Sequence, residues 1–458
     1  MLVGQRLIPS RPMSEVAGGK AAREKTTWLP CSREQEGVWL AEQMVESAAS
    51  HCAAMTLQLA MDLTDRELCA AASACMRRHE QLRSQFSARD GRLHYAVLLA
   101  GEQPAAKIDR AGASTETLPH LLSTLTGARL SPLEWPPFRF TIVEVNSALR
   151  LVHFVCHHAV CDGLSLLVLE RDFAEVCAAI AEGHPPALPG PGQPYAMFVQ
   201  HQLREISRLE NDARTYWTPA LRTASVASRM WARRSVSRGR EMPGDSVLVI
   251  SSSTGRRLGS YAQDRGVSMF VVLLAIVQVV QRSLADGCGA VATTVAMDAR
   301  PSTMNEAVGM FASEGLVCTP VRLGSTFDEH LACVQAAVRG LLAIRGFPGT
   351  EAIARFGAAG HYATIKPEVT LSYMRLHTAR ESRQRVRSEW PIGVPRQIAR
   401  HGLSIFAAQA SSDLQILTSY DGAVACAADA ATFVDTLAGL LDRAITGSTV
   451  QLADLLGD

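Results

Sequence analysis

Apolar residues recur along this chain at two periods, and the switch between them frames its middle. Residues 138–145 and 149–156 are dense in β-branched and aromatic positions and are separated by Asn146-Ser147. This pattern predicts two neighbouring strands joined by a short polar turn. Directly beyond, 164–181 is apolar at helical spacing, so His157 and His158 sit where a strand runs out and a helix is about to begin. Upstream, 63–78 repeats apolar residues at helical spacing behind Thr64 and Asp65. Arg77, Arg78 and His79 lie at its carbonyl end, where the helix dipole favours cations. A further helix is predicted over 32–44, capped by Ser32, with Glu34, Gln35 and Glu36 near its positive end and Val38, Trp39 and Leu40 opening the apolar stripe.

Pro and Gly crowd 184–194 and break the periodicity, which marks a linker between a first lobe, 28–183, and a second, 195–458. Residues 1–27 mix Pro, Gly, Ser and charges without an apolar core long enough for a secretory signal, and are expected to be a disordered lead-in. The second lobe is predicted to hold helices over 195–217, 253–265, 268–284 and 429–445. Its predicted strands are 246–250, 290–297, 316–323, 368–376, 403–409 and 413–420. Each lobe mixes strands with helices, which gives an α/β (α+β) fold class. The most apolar run, 269–280, falls short of the roughly 20 residues that cross a bilayer and reads as a buried helix.

Composition narrows the function classes. Over 458 residues the chain is 47% hydrophobic and 19% charged, with a formal charge of +1, so no global field gathers nucleic acid or an anionic membrane. Neither is expected as a partner. Eleven cysteines without a CxxC pair read as buried thiols of a reducing, cytoplasmic setting rather than as a zinc site.

The chemistry concentrates in His157-His158-Ala159-Val160-Cys161-Asp162-Gly163. Side chains alternate along a strand, so only one of the two histidines faces a reacting group. Such a ring titrates near neutral pH and takes a proton from an amine, hydroxyl or thiol as it attacks a carbonyl. Asp162 then either holds a histidine tautomer or pins the loop on a cation. There is no GxSxG elbow and no Ser or Cys in a recognised nucleophile context, so direct transfer between two bound substrates fits better than a covalent hydrolase. The plainer reading of a His-His pair at a strand end is structural. A metal held by His153, His157 and Asp162 is not expected: Phe154 stands where a zincin helix needs its glutamate, and 151–155 favours a strand.

The motif resembles the HHxxxDG signature of the condensation-domain superfamily, which groups nonribosomal peptide synthetase condensation domains, polyketide-associated acyltransferases and chloramphenicol acetyltransferase relatives. Other segments are similar too. Residues 32–39 resemble the family's SxxQxxxW, 78–86 its RHExLRxxF, Pro136-Pro137-Phe138-Arg139 its PLFR and 308–313 its VGxFxN, while 195–217 lies where a helix with a YW end is expected. The resemblance implies two chloramphenicol acetyltransferase-like lobes in a V, with the motif midway along a central tunnel. It implies His158 as the base or positioning group for the acceptor, with His157 and Asp162 in support. Gly163 would suit a tight turn, its amide facing a developing oxyanion. The aspartate of relatives pairs with a second-lobe arginine, for which Arg300 is the candidate; the alternative for Arg300 is a solvated turn. Ser165 joins it in support, and Met310 and Ser372 are tunnel candidates.

The implied donor is a thioester on the phosphopantetheine of an acyl or peptidyl carrier protein, or on coenzyme A, with no tightly bound cofactor. The implied acceptor is a small molecule or a second carrier's cargo, within secondary-metabolite assembly. The family's HQxxPFE segment is not legible near 344–348, its RDxSRxPLF is absent, and its SYxN survives only as Ser372-Tyr373-Met374-Arg375. These departures favour a freestanding or specialised member over a standard elongation domain, and with no carrier or adenylation motif in the chain the carrier is expected to act in trans; a monomer is expected. Arginines over 375–387 and 229–240 are candidate contacts for an acidic carrier or coenzyme A phosphates. A non-catalytic carrier-docking domain is the alternative of another class.

Overall fold

The chain runs β1 (Leu29–Pro30), α1 (Arg33–Met44), β2 (Cys52–Leu59), α2 (Asp65–Arg78), β3 (Ser84–Arg89), β4 (Arg92–Val97), β5 (Ile108–Ala113), α3 (Leu118–Gly127), β6 (Phe138–Val145), β7 (Leu149–His157) and α4 (Gly163–Ala181). It continues through α5 (Tyr195–Val226), β8 (Gly244–Ile250), α6 (Ser252–Asp264), α7 (Met269–Leu284), β9 (Ala290–Asp298), β10 (Ala312–Pro320), α8 (Phe327–Ala343) and α9 (Gly349–Phe356). Last come β11 (Val369–Leu376), β12 (Val386–Ser388), β13 (Leu403–Ala410), β14 (Asp413–Tyr420), α10 (Ala427–Thr446) and α11 (Leu452–Leu456). These elements come from a computed structural model that describes residues 27–457 except 45–50, 60–61, 100–105, 107, 147–148, 186–187, 228–229, 232–243, 286–289, 358–367, 377–385, 389–401, 411–412 and 422–423. The expected lead-in up to residue 26 lies outside the described residues, as do most of the two arginine-rich runs.

The predicted hairpin forms: β6 and β7 pair antiparallel from Phe138↔Cys156 to Val145↔Leu149. Asn146 turns it with a φ of 50°, a conformation its short polar side chain tolerates. Around it the first sheet takes the order β12-β2-β7-β6-β5, and β2 lies directly beside β7 with Cys52 opposite His157. The second sheet has six strands in the order β10-β9-β11-β13-β14-β8, and β1, β4 and β3 make a small third sheet.

Space and sequence do not divide alike. β12, from the second half of the chain, pairs with β2 at the edge of the first sheet. Ala299, Met304, Ala307, Val308 and Phe311 are buried in the core of the first sheet and its helices. The 32-residue helix α5 is about 48 Å long at 1.5 Å per residue. Its opening turns, with Tyr195 and Phe198, pack in that first core, while Ile206 to Leu221 pack in the second. The helix carries on through Pro219 to Val226, nine residues past the predicted end at Trp217. The strand predicted over 316–323 sits earlier, at Ala312–Pro320, because its whole length pairs with β9 and draws the polar Ser313 and Glu314 into the ladder. Among the described residues no single helix is long and apolar enough to cross a membrane; α6 and α7 reach that length together but bend by 106°.

Candidate active site

Strand β7 carries the histidines to its end, and alternation separates them. His157 is fully buried. Its Nδ1 accepts the Ala159 N–H at 3.1 Å, and its Nε2 lies 3.0 Å from Glu42 Oε1. The same Glu42 oxygen lies 3.2 Å from His51 Nδ1. Burial pushes the Glu42 carboxyl up, but the hydrogen bonds from His157 and His51 outweigh it and hold the group well below the usual carboxylate range. His158 is only half-buried; its backbone N–H donates to His51 O at 2.7 Å, and its Nδ1 lies 3.2 Å from Met310 Sδ.

Asp162 is the N-cap of α4 and a clamp between distant parts of the chain. Its Oδ1 accepts from the Ser165 N–H at 2.8 Å and from the Ser165 hydroxyl at 2.7 Å. Arg300 Nη2 donates to the same oxygen at 3.1 Å, and both residues are buried. Oδ2 accepts the backbone N–H groups of Phe311 and Ala312 at 2.9 and 3.0 Å. Ser165 Oγ also receives Arg300 Nη2 and the Gly309 N–H, each at 3.1 Å. Of the two roles open to Asp162, the carboxylate is spent on pinning the loop. Arg300 is its cation, not a solvated turn residue.

The flanking sequence segments converge on the same loop. Ser32 and Gln35 cap α1 reciprocally, and Gln35 Nε2 then donates to Ala159 O at 2.8 Å and to Gln81 at 3.0 Å. Tyr195 Oη, at the start of α5, donates to Met310 O at 2.5 Å. Arg78 and His79 both meet Asp172 of α4, at 2.9 and 2.8 Å, so the RHE run ties α2 to the helix behind the motif. Arg171 on α4 pairs with Glu306 and adds a second ionic link to the β9–β10 connection.

Gly163 opens α4 with no positive φ, so its lack of a side chain answers to space rather than to a turn. A Cβ there would stand 2.6 Å from Met374 Cε. Met374 and Ser372 are two residues apart on β11 and therefore share the face that looks toward the motif. His153 is held between the hydroxyls of Thr56 and Thr126, 3.0 Å on each ring nitrogen, and burial pushes it down to about 4. Among the described residues no cluster of His, Cys, Asp and Glu is arranged to hold a metal. One expectation is corrected: not all cysteines are thiols, since Cys156 and Cys161, brought together by the turn that carries both histidines, are joined as a disulfide. Glu42 and His51 escaped sequence reasoning, although Glu42 lies seven residues after Gln35 and hence on the same face of α1.

A family model for the condensation domain matches residues 25–456. The chain belongs to the condensation-domain family. The relatives of this condensation domain include the nonribosomal peptide synthetase dtxS1 of Metarhizium robertsii, 25% identical over 326 residues that cover 69% of this chain and 4% of that protein. Bacitracin synthase 2 of Bacillus licheniformis is 24% identical over 321 residues, 69% of this chain and 12% of that one. The chain therefore spans a small part of the length of these synthetases. Among solved structures, the first condensation domain of the CDA synthetase superposes with a TM-score of 0.78 at 20% identity, covering 93% of this chain and 98% of that one. The X-domain from teicoplanin biosynthesis gives 0.76 at 20% identity, over 93% and 96%. The fold is the chloramphenicol acetyltransferase-like one that the motif implied.

Proposed function

We propose that this condensation domain transfers an acyl group from the phosphopantetheine thioester of a carrier protein to an amine or hydroxyl acceptor. The observation that carries the reading is the division of labour at the motif. His157 and Asp162 are buried and committed to Glu42 and to Arg300 with the Phe311 and Ala312 amides, while His158 is the ring that keeps partial exposure. In this reading the acceptor nitrogen or oxygen attacks the thioester carbonyl as His158 takes its proton. The C–S bond then breaks, and the proton passes to the departing thiolate. One thioester and one nucleophile give one amide or ester and one free thiol. The Ser165 N–H is taken by the Asp162 cap, and the Gly163 N–H, which opens α4 without a partner inside the helix, is the amide proposed for the developing oxyanion.

The proposal includes a carrier acting in trans, which the departures in the later family segments support. Acyl-coenzyme A is the alternative donor. A docking role without chemistry is the second reading, favoured by the likeness to the teicoplanin X-domain, whose complex with OxyB is among the similar structures.

Offering carrier-bound and coenzyme A-bound acyl donors with amine and alcohol acceptors, and identifying products by mass spectrometry, tests these readings. A condensed product from the carrier-bound donor is expected. Product from acyl-coenzyme A alone replaces the donor class, and a stable complex without product replaces transfer by docking.

A further inference from the structure

We propose that Met310 is a positioning residue that fixes which nitrogen of the His158 ring carries its proton. Its use in catalysis rests on the acyl-transfer reading, but the tautomer itself does not. The Met310 Sδ lies 3.2 Å from His158 Nδ1. A thioether accepts hydrogen bonds and has none to donate, so the ring presents Nδ1–H to the sulfur and carries its lone pair on Nε2.

The backbone that carries this sulfur is held from several directions. Met310 is 5% exposed, and its carbonyl receives Tyr195 Oη. The residues on either side of it are locked onto the clamp: the Gly309 N–H on Ser165 Oγ at 3.1 Å, and the Phe311 N–H on Asp162 Oδ2 at 2.9 Å. The clamp between the two halves of the chain thereby fixes the backbone from which Met310 reaches the ring.

The adjacent histidine is held in the opposite form. Because His157 Nδ1 accepts the Ala159 N–H, its own proton sits on Nε2 and points to Glu42. The choice of acceptor also has a chemical consequence. A carboxylate at Nδ1 would stabilise the imidazolium strongly, whereas a thioether orients the ring without adding charge. A ring so held takes a proton at Nε2 and gives it up again, as transfer to a leaving thiolate requires.

Long-range proton–nitrogen NMR of histidine-labelled protein reads the tautomer of each ring, and the His158→Ala variant assigns the signal. The wild-type His158 ring is expected to show the Nδ1–H form. Met310→Leu keeps the volume and removes the acceptor. It is expected to move the ring toward the Nε2–H form that free imidazole side chains prefer, and to lower kcat about tenfold at unchanged KM. An Nε2–H signal for His158 in the wild type overturns the proposal even if the variant does not fold, and so does a tautomer that Met310→Leu leaves unchanged. If the tautomers behave as expected but the wild type transfers no acyl group, the functional reading fails and the positioning role stands.

Discussion

A single carboxylate, Asp162, takes hydrogen bonds from a side chain 138 residues away and from the amides of Phe311 and Ala312 at the entry to β10. With both Asp162 and Arg300 buried, removing one charge leaves the other without compensation. Asp162→Asn is therefore expected to cost about 3–5 kcal/mol of stability, measured by denaturant unfolding. A loss below about 1 kcal/mol would show that the clamp is incidental. Glu34 presents the opposite case. Its carboxyl is buried, with Gln202 as a side-chain partner, and burial pushes it from an ordinary 4.5 up to about 7. The folded state thus binds more protons than the unfolded one between these values, so stability falls as pH rises through 4.5 to 7, by about 3 kcal/mol in all, and stays reduced above. Glu34→Gln removes that dependence while keeping a partner for Gln202. Unfolding at pH 8.5 is expected to find the variant more stable by about 1–3 kcal/mol, with the gap closing near pH 4.5. A gap that does not change with pH contradicts the assignment.

The N-terminus of α4 and strand β11 meet where Met374 Cε fills the space a side chain on Gly163 would need. The atom in the way is the end of a flexible side chain that can turn aside, so Gly163→Ala is expected to cost less than about 1 kcal/mol. Met374→Ala should relieve most of that cost, so unfolding of the two single variants and the double variant should be non-additive. Additive effects would mean that the glycine is needed for something other than this contact. At this scale much was legible. The β6–β7 hairpin, α2 and α4 follow directly from periodicity and caps, because their apolar faces match the elements they form. Strand β2 was not legible: Cys-Ala-Ala-Met-Thr-Leu-Gln-Leu has little β-branching, and it is a strand because it lies between β7 and β12 with most of its length buried. Helix α8 was legible in principle from the Thr326 and Glu329 capping box before an apolar run, but it is absent from the predicted elements. Helix α5 runs past its predicted end at Trp217 and through Pro219, with Leu221 buried in the second core beyond it.

Across the whole molecule, the site exists only because two halves of the chain meet at one loop. Its histidines and Asp162 were legible as a motif, and Arg300 as a partner through the family resemblance. Met310 was named through the same resemblance as a tunnel candidate, though not as a partner of His158, while Glu42, His51 and Met374 reach the motif through contacts that no local pattern encodes, since their spacing in sequence runs from about one hundred to two hundred residues. The β12–β2 pairing and the burial of Phe311 in the first core are long-range in the same sense. The central claim is that this architecture exists to present His158 to an acceptor and a thioester. It is tested most directly by single-turnover transfer from an acyl-loaded carrier protein by His158→Ala, with its melting temperature compared with that of the wild type. The account predicts an unchanged fold and a transfer rate reduced by at least about a hundredfold. Wild-type transfer by a folded His158→Ala protein would contradict it.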